Sequence, residues 1–222
     1  MEEIKKILLL GGGGHCLSVL DSLLSSYHYE SIGIVEKKVQ NQIPNHALSS
    51  SLPDIPIVGC DEDLEELFGK GYTDAFITLG STGDSTVRRK LYNRVKEIGF
   101  HIPNIIDKSS IVSRYATLGE GIFIGKQAIV NASAKIGNMA IINTSSVIEH
   151  ECVIGDFVHI APGSVLCGGV EVGDNTHIGA GSVLKQGIHI GANTIIGMGS
   201  VVVKDMGNQV VAYGNPCKEK NR

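Results

Sequence analysis

Residues 118–160 read LGEGIFIGKQAIVNASAKIGNMAIINTSSVIEHECVIGDFVHI, and their spacing decides the fold. Counting in sixes from Leu118 meets Ile124, Val130, Ile136, Ile142, Ile148, Ile154 and Ile160. The count continues through Leu166, Val172, Ile178, Leu184, Ile190, Ile196 and Val202 without a slip. Glycine follows the aliphatic residue at 119, 125, 137, 155, 173, 179, 191 and 197, and a small residue stands four places after it at Ala128, Ala134, Ala140, Ser146, Cys152, Ser164, Ser182 and Ser200. A period of six matches neither the 3.6-residue turn of a helix nor the alternation of a half-buried strand. It fits a parallel β-helix of hexapeptides, three to each triangular coil, with coils stacked at the ordinary strand spacing of about 4.8 Å. The aliphatic residue points into the prism, and the glycine is expected to permit the corner. About five coils should run from Leu118 to Val203, and the stretch NIIDKSSIVSRYATLGEGIFIGK should supply a first, imperfect coil that caps them.

Within this rhythm stands one charged cluster, Glu149-His150-Glu151. His150 is third in its hexapeptide, which places it near a corner and facing out. The same place one coil later is Gly168, followed by Gly169, so no side chain there covers the imidazole. Nearby backbone N–H groups are then available to a carbonyl oxygen. His159 takes the sixth place of the following hexapeptide, and His177 stacks one coil above it. Histidine is the side chain suited to take a proton near neutral pH, and a carboxylate partner orients it and raises its basicity. On an isolated corner the same three residues would be a solvated face.

The N-terminal part has a different character. KKILLLGGGGHCLSVLDSLL reads as a buried strand, a glycine turn and an amphipathic helix whose apolar face is Leu17, Leu20 and Leu24, with Val19 and Leu23 nearby. Amides at such a turn and helix N-terminus attract phosphate, which makes Gly11, Gly13 and Gly14 candidate nucleotide contacts. His15 closes the turn, where it either touches a sugar phosphate or caps the helix. A second strand, SIGIVE, ends in Glu36, where a carboxylate commonly meets a ribose or base. A third, AFITLG, ends at Gly80 and leads through a polar loop to a helix beginning near Ser85. In a parallel sheet this loop opens on the edge of the glycine turn, so Gly80, Ser81 and Arg88 are candidates to line the same pocket, although Arg88 also reads as a helix-surface residue. A dinucleotide-binding dehydrogenase is disfavoured: the third position of G-x-G-x-x-G is Cys16, and residues 1–105 suffice for only one mononucleotide half. The segment from Gln40 to Pro56, polar and Ser-rich, reads as a surface loop.

Bulk properties narrow the classes further. A net charge of −4 with no basic run argues against nucleic acid. The acidic start MEEIKK is no signal peptide, and no apolar segment is long enough to span a bilayer. Cys16, Cys60, Cys152, Cys167 and Cys217 are odd in number, scattered and without a C-x-x-C pair. That favours a reducing cytoplasm over a disulfide framework or zinc site.

The six-residue clock resembles the left-handed β-helix of the hexapeptide acyltransferase superfamily. The resemblance implies the handedness, a homotrimer, and acyl-CoA sites in the grooves between neighbouring prisms. NTSSVIEHECVIGDF, residues 143–157, resembles the active-site stretch of the nucleotide-sugar acetyltransferases of the bacillosamine pathway, which acetylate UDP-4-amino-4,6-dideoxy-N-acetylglucosamine. The match runs without a gap to the closing YGNPCK. It implies His150 as general base with Glu151 in support, and His159 and Asn143 against the acetyl end of acetyl-CoA. It also implies the backbone at Gly168 on the thioester carbonyl and the backbone at Ala180 and Met198 along the pantetheine arm. His15 stands where that family also carries histidine. The expected organisation is a Rossmann-like nucleotide-sugar-binding domain at 1–105 and a left-handed β-helix acetyltransferase domain at 106–222, with acetyl-CoA as co-substrate, no metal, no nucleic acid and no membrane insertion. The connector and the GSTGDS loop also resemble the sialic acid O-acetyltransferases, which would acetylate a hydroxyl. Departures from the amino-sugar pattern are Glu36, where those enzymes tend to have aspartate, and the longer loop from Gln40 to Pro56. Parallel β-helices can also be passive scaffolds, and a zinc site built on His150, His159 and His177, as in carbonic-anhydrase-like relatives, would require three histidines bridging two subunits with their own spacing.

Overall fold

The computed structural model describes residues 5–37 and 54–220. Internal contacts divide the chain into one unit of residues up to Gly80 with Thr86–Pro103, and a second of Ser81–Ser85 with Asn104 onward. The break thus falls after Pro103, and a short piece of the strand-to-helix connection of the first unit groups with the second. Most of the expected surface loop, residues 40–53, lies outside the described residues.

The first unit runs β1 (Lys6–Leu10), α1 (Gly14–Ser26), β2 (Ser31–Val35), β3 (Ile57–Gly59), α2 (Leu64–Gly69), β4 (Tyr72–Ile77) and α3 (Thr86–Ile98). The sheet is parallel throughout, in the order β3-β2-β1-β4. Ile7, Leu8, Leu9 and Leu10 are all fully buried. This continuous apolar run suits a central parallel strand, which has no solvent face. The chain crosses from β1 to β2 on one side, and β4 lies on the other. The carboxyl ends of β1 and β4 therefore flank a topological switch point, the usual crevice for a ligand in such sheets.

The helix face differs from the sequence expectation. The buried residues of α1 are Cys16, Val19, Leu20, Ser22 and Leu23, while Leu24 is exposed and Leu17 only half-buried. Cys16, Val19, Leu20 and Leu23 follow the i, i+3, i+4, i+7 pattern of one helical stripe, and the Leu17–Leu24 stripe lies beside it. β3 and α2 have no counterpart in the sequence reading.

The second unit is a left-handed parallel β-helix of about six turns. Its two-residue strands fall on three sheets, each pairing residues one coil apart, as in Ile141↔His159↔His177↔Ile195. The first coil lies in the stretch expected to supply it: Ile105–Ile106, Ile111–Val112 and Thr117–Leu118 pair with the coil that follows. The clock in fact reaches back through Val112 to Ile106, so this stretch is a regular coil in register. From Ile124 onward, every clock residue is at most 3% exposed. Each such buried aliphatic side chain contributes about 1.5–3 kcal/mol relative to an exposed one, so the column itself holds the coils together.

The corners revise the role given to glycine. Positive φ recurs every six residues, at Gly121, Gln127, Ser133, Met139, Ser145, Glu151, Phe157, Gly163, Gly169, Asn175, Gly181, Gly187, Asn193 and Gly199, with values from +55° to +70°. The left-handed residue is thus three places after the aliphatic one, and more than half of these corners carry a side chain. The glycine directly after the aliphatic residue serves another purpose. A Cβ on Gly137 would stand 2.6 Å from the carbonyl carbon of Gly155, and one on Gly173 would stand 2.6 Å from the nitrogen of Ala192. These glycines let the next coil approach.

Candidate active site

His150 precedes the left-handed corner residue Glu151, whose φ is +61°. That bend turns both side chains outward, with the imidazole 55% and the carboxylate 72% exposed. The Nδ1 of His150 lies 3.1 Å from Oε2 of Glu151. Because a carboxylate only accepts, Nδ1 carries the proton, and in the neutral ring Nε2 then presents a lone pair. The two glutamates differ. Oε2 of Glu149 accepts a hydrogen bond from Nδ2 of Asn131 at 3.0 Å, which ties it to the preceding coil. Glu151 alone is left on the ring.

Gly168 does more than leave the imidazole uncovered. A Cβ there would stand 2.5 Å from Cε1 and 2.6 Å from Nε2 of His150. The basic edge of the ring rests against the Gly168 backbone because no methyl group intervenes.

Asn143 and His159 form the second half of the site. The Oδ1 of Asn143 accepts the Thr144 N–H at 2.8 Å, so its Nδ2 is the end that faces Nε2 of His159 at 3.2 Å. His159 Nε2 is therefore the acceptor, and its Nδ1–H donates to the Ser81 carbonyl at 2.7 Å. Both contacts assign one neutral tautomer, and the hydrogen bonds run in one direction from Asn143 through His159 to Ser81. The second hydrogen of the Asn143 amide remains to point elsewhere. His177 meets His159 edge to face, with ring centroids 4.9 Å apart and planes at 72°. Burial lowers the pKa of His177 below the ordinary imidazole value. Ala180 is half-buried, with its carbonyl accepting the Gly199 N–H at 2.8 Å, and Met198 one coil on is 81% exposed.

In the first unit the structure gathers most of the expected nucleotide contacts at the carboxyl edge of the sheet. Gly11 adopts φ +105°, and its carbonyl accepts the Thr78 hydroxyl from the end of β4. Gly13 is the N-cap of α1 and brings no side chain to the first-turn amides. A Cβ on Gly13 or Gly14 would meet nothing within 4 Å, so this side of the turn is open. His15 is the second residue of the helix and not its cap, and it lies beside Gly80. Glu36 reaches back to the turn itself, its carboxylate accepting the Gly12 N–H. Arg88 is 2% exposed, which removes the helix-surface reading, and burial pulls its pKa down to about 10. At neutral pH it stays charged. Ser81 belongs to the other group, with its carbonyl on His159.

Sequence reasoning missed Asn131 and the orienting role of Thr144. The coil length could have found Asn131, which is one coil before Glu149. The Ser81–His159 contact joins positions of unrelated periodicity and had no such signal. Among the described residues, no group of three His, Cys, Asp or Glu side chains is placed to hold a metal ion, and no helix is long and apolar enough to cross a membrane.

Residues 6–95 match the family model described as the PglD N-terminal domain, and residues 133–168, 151–186 and 169–204 match that of the bacterial transferase hexapeptide (six repeats). None of the curated proteins searched matches the chain. Among solved structures, a mutant of perosamine N-acetyltransferase from Caulobacter crescentus, in complex with CoA and GDP-perosamine, is 35% identical. Each chain covers 99% of the other, with a TM-score of 0.89. The acetyltransferase domain of PglB from Neisseria gonorrhoeae, in complex with acetyl coenzyme A, is 27% identical over 98% of this chain and 100% of that one, with a TM-score of 0.87. WeeI from Acinetobacter baumannii, 23% identical over 97% of this chain and 100% of that one, shares the fold at a TM-score of 0.82.

Proposed function

Because this chain belongs to the CoA-dependent, hexapeptide-repeat nucleotide-sugar N-acetyltransferases with a PglD-type N-terminal domain, we propose that it moves acetyl from acetyl-CoA to the 4-amino group of a 4-amino-4,6-dideoxy sugar, with His150 as general base. The sugar is carried on a nucleoside diphosphate. The observation that carries this reading is the His150 geometry: Nδ1–H is directed to Glu151 at 3.1 Å, and the Nε2 edge of the half-exposed ring lies beside the side-chain-free Gly168.

The chemistry follows from that arrangement. The amine attacks the thioester carbonyl and passes a proton to Nε2. Glu151 stabilises the resulting imidazolium, which later returns the proton to the departing CoA thiolate. The carbonyl oxygen gains charge in the tetrahedral intermediate, and fixed amide donors such as the second Nδ2 hydrogen of Asn143 are suited to meet it. The open glycine turn at Gly13 and Gly14 and the buried cation of Arg88 suit a diphosphate. A cytoplasmic location suits a reaction that uses acetyl-CoA and a nucleotide sugar. Two nucleotides are in view: the sequence resemblance points to UDP, and the perosamine enzyme's complex contains a GDP-sugar.

The test is CoA-thiol release with UDP- and GDP-linked 4-amino-4,6-dideoxy sugars and with sialic acid. Transfer to an amine on either nucleotide supports the proposal, and transfer only to sialic acid hydroxyl overturns it. In the productive reaction, His150→Ala should lower kcat by about 10²–10⁴-fold, the usual range for losing a general base. Wild-type turnover in that variant would remove His150 from the role.

A further inference from the structure

We propose that His177 is a positioning residue, which acts through edge-to-face contact on His159 to hold the Asn143–His159–Ser81 chain of hydrogen bonds in line. The inference rests on the reading that Asn143 and His159 stand at the acetyl end of the co-substrate.

Three observations carry it. First, the strand register stacks His159, His177 and Ile195 on successive coils of one sheet. Second, the Ser81–Ser85 segment lies across this stack. Its Ser81 carbonyl takes the His159 proton at one end, and Gly83, with φ +98°, sits so close to Ile195 that a Cβ would collide with that side chain. His177 occupies the coil between these two contacts. Third, Nδ1 of His177 is buried and makes no hydrogen bond among the described residues. A protonated ring there would bury a charge, so His177 sits as a neutral aromatic plate. The titratable groups on the elements around it are few: His159 on the preceding coil, and Asp84, which is exposed, in the overlying segment. The following coil supplies Ile195.

The consequence is directional. His159 can offer Nε2 to Asn143 only while its Nδ1–H is held on the Ser81 carbonyl, and that requires one ring orientation. An imidazole free to turn would lose one or both bonds. His177 restricts that rotation from the side that the Ser81–Ser85 segment does not fix. It touches neither reacting group.

The experiment compares His177→Phe, which keeps an aromatic ring, with His177→Leu, which keeps apolar volume without one. Steady-state kinetics should show KM for acetyl-CoA raised about three- to tenfold in His177→Leu, the effect of losing one hydrogen bond. KM for the nucleotide sugar should be unchanged, and His177→Phe should restore most of the loss. Nitrogen NMR of the imidazoles, on the free wild-type enzyme, should show His159 as the Nδ1–H tautomer. It should show mixed tautomers in His177→Leu and the single tautomer again in His177→Phe. Wild-type acetyl-CoA KM and a single tautomer in His177→Leu would overturn the proposal, as would equal losses in both variants. The NMR measurement needs no substrate, so its outcome is separate from whether the nucleotide-sugar reading holds.

Discussion

At the residue scale, the site depends on one missing methyl group. His150 is 55% exposed, which leaves room for the ring to move outward, while Gly168 has an ordinary backbone conformation. Gly168→Ala should therefore fold normally but push the imidazole off its seat, because the new Cβ would stand 2.5 Å from Cε1. The expected result is an unchanged melting temperature with kcat lowered at least tenfold, read by thermal denaturation and CoA release on one preparation. Full activity in Gly168→Ala would mean that the ring position seen here is not the working one. The residue-level pattern was largely legible in the sequence. His150, Glu151 and Gly168 were all reached by counting in sixes and eighteens, because a side chain's neighbours in a β-helix lie a fixed number of residues away. The separate fates of the two glutamates were not legible, since that depends on which carboxylate Asn131 captures.

At the scale of the element, each hexapeptide spends one residue on a left-handed corner. A non-glycine residue there costs about 1–2 kcal/mol relative to the usual region, and Glu151 accepts this cost at φ +61°. Its carboxylate is exposed and bonds only to His150 among the side chains described for it. Glu151→Gly should accordingly raise stability by up to about 1 kcal/mol while lowering kcat, by less than His150→Ala does, since Glu151 orients the base without taking the proton. A variant that loses stability and activity together would show Glu151 to be a packing residue. The helix α1 shows the limit of reading an element alone. Two leucine-containing stripes run along it, and only the sheet decides that the Cys16–Leu23 stripe is the buried one.

At the scale of the molecule, the proposed function gives the two units separate tasks, and a substitution in each can test this. Gly13→Val would place its side chain into open space at the turn, with no neighbour within 4 Å of the Cβ. Folding should be unaffected. KM for the nucleotide sugar should rise, and KM for acetyl-CoA should stay nearly constant; parallel changes in both would count against the division of labour. Apolar side chains also remain on the surface of the β-helix, among them Ile111 at 64% and Met198 at 81% exposed. The resemblance to hexapeptide acyltransferases implies a homotrimer, and we expect one by light scattering in solution. A fully active monomer would contradict both the assembly and the idea that CoA lies in a groove between subunits.

The sequence by itself determined the β-helix, the identity of its buried column and the His150–Glu151 pair, because a repeating fold converts linear spacing directly into spatial adjacency. Glycine spacing was read as marking the corners; only the stacked backbones show that the glycines after the aliphatic column admit the next coil, while the left-handed bend falls two residues later. The tertiary structure alone decided that Glu36 closes on the Gly12 amide and that the Ser81 carbonyl receives the His159 proton. These contacts join segments with no common period, and where two such segments meet is set by packing between them, which no local spacing encodes.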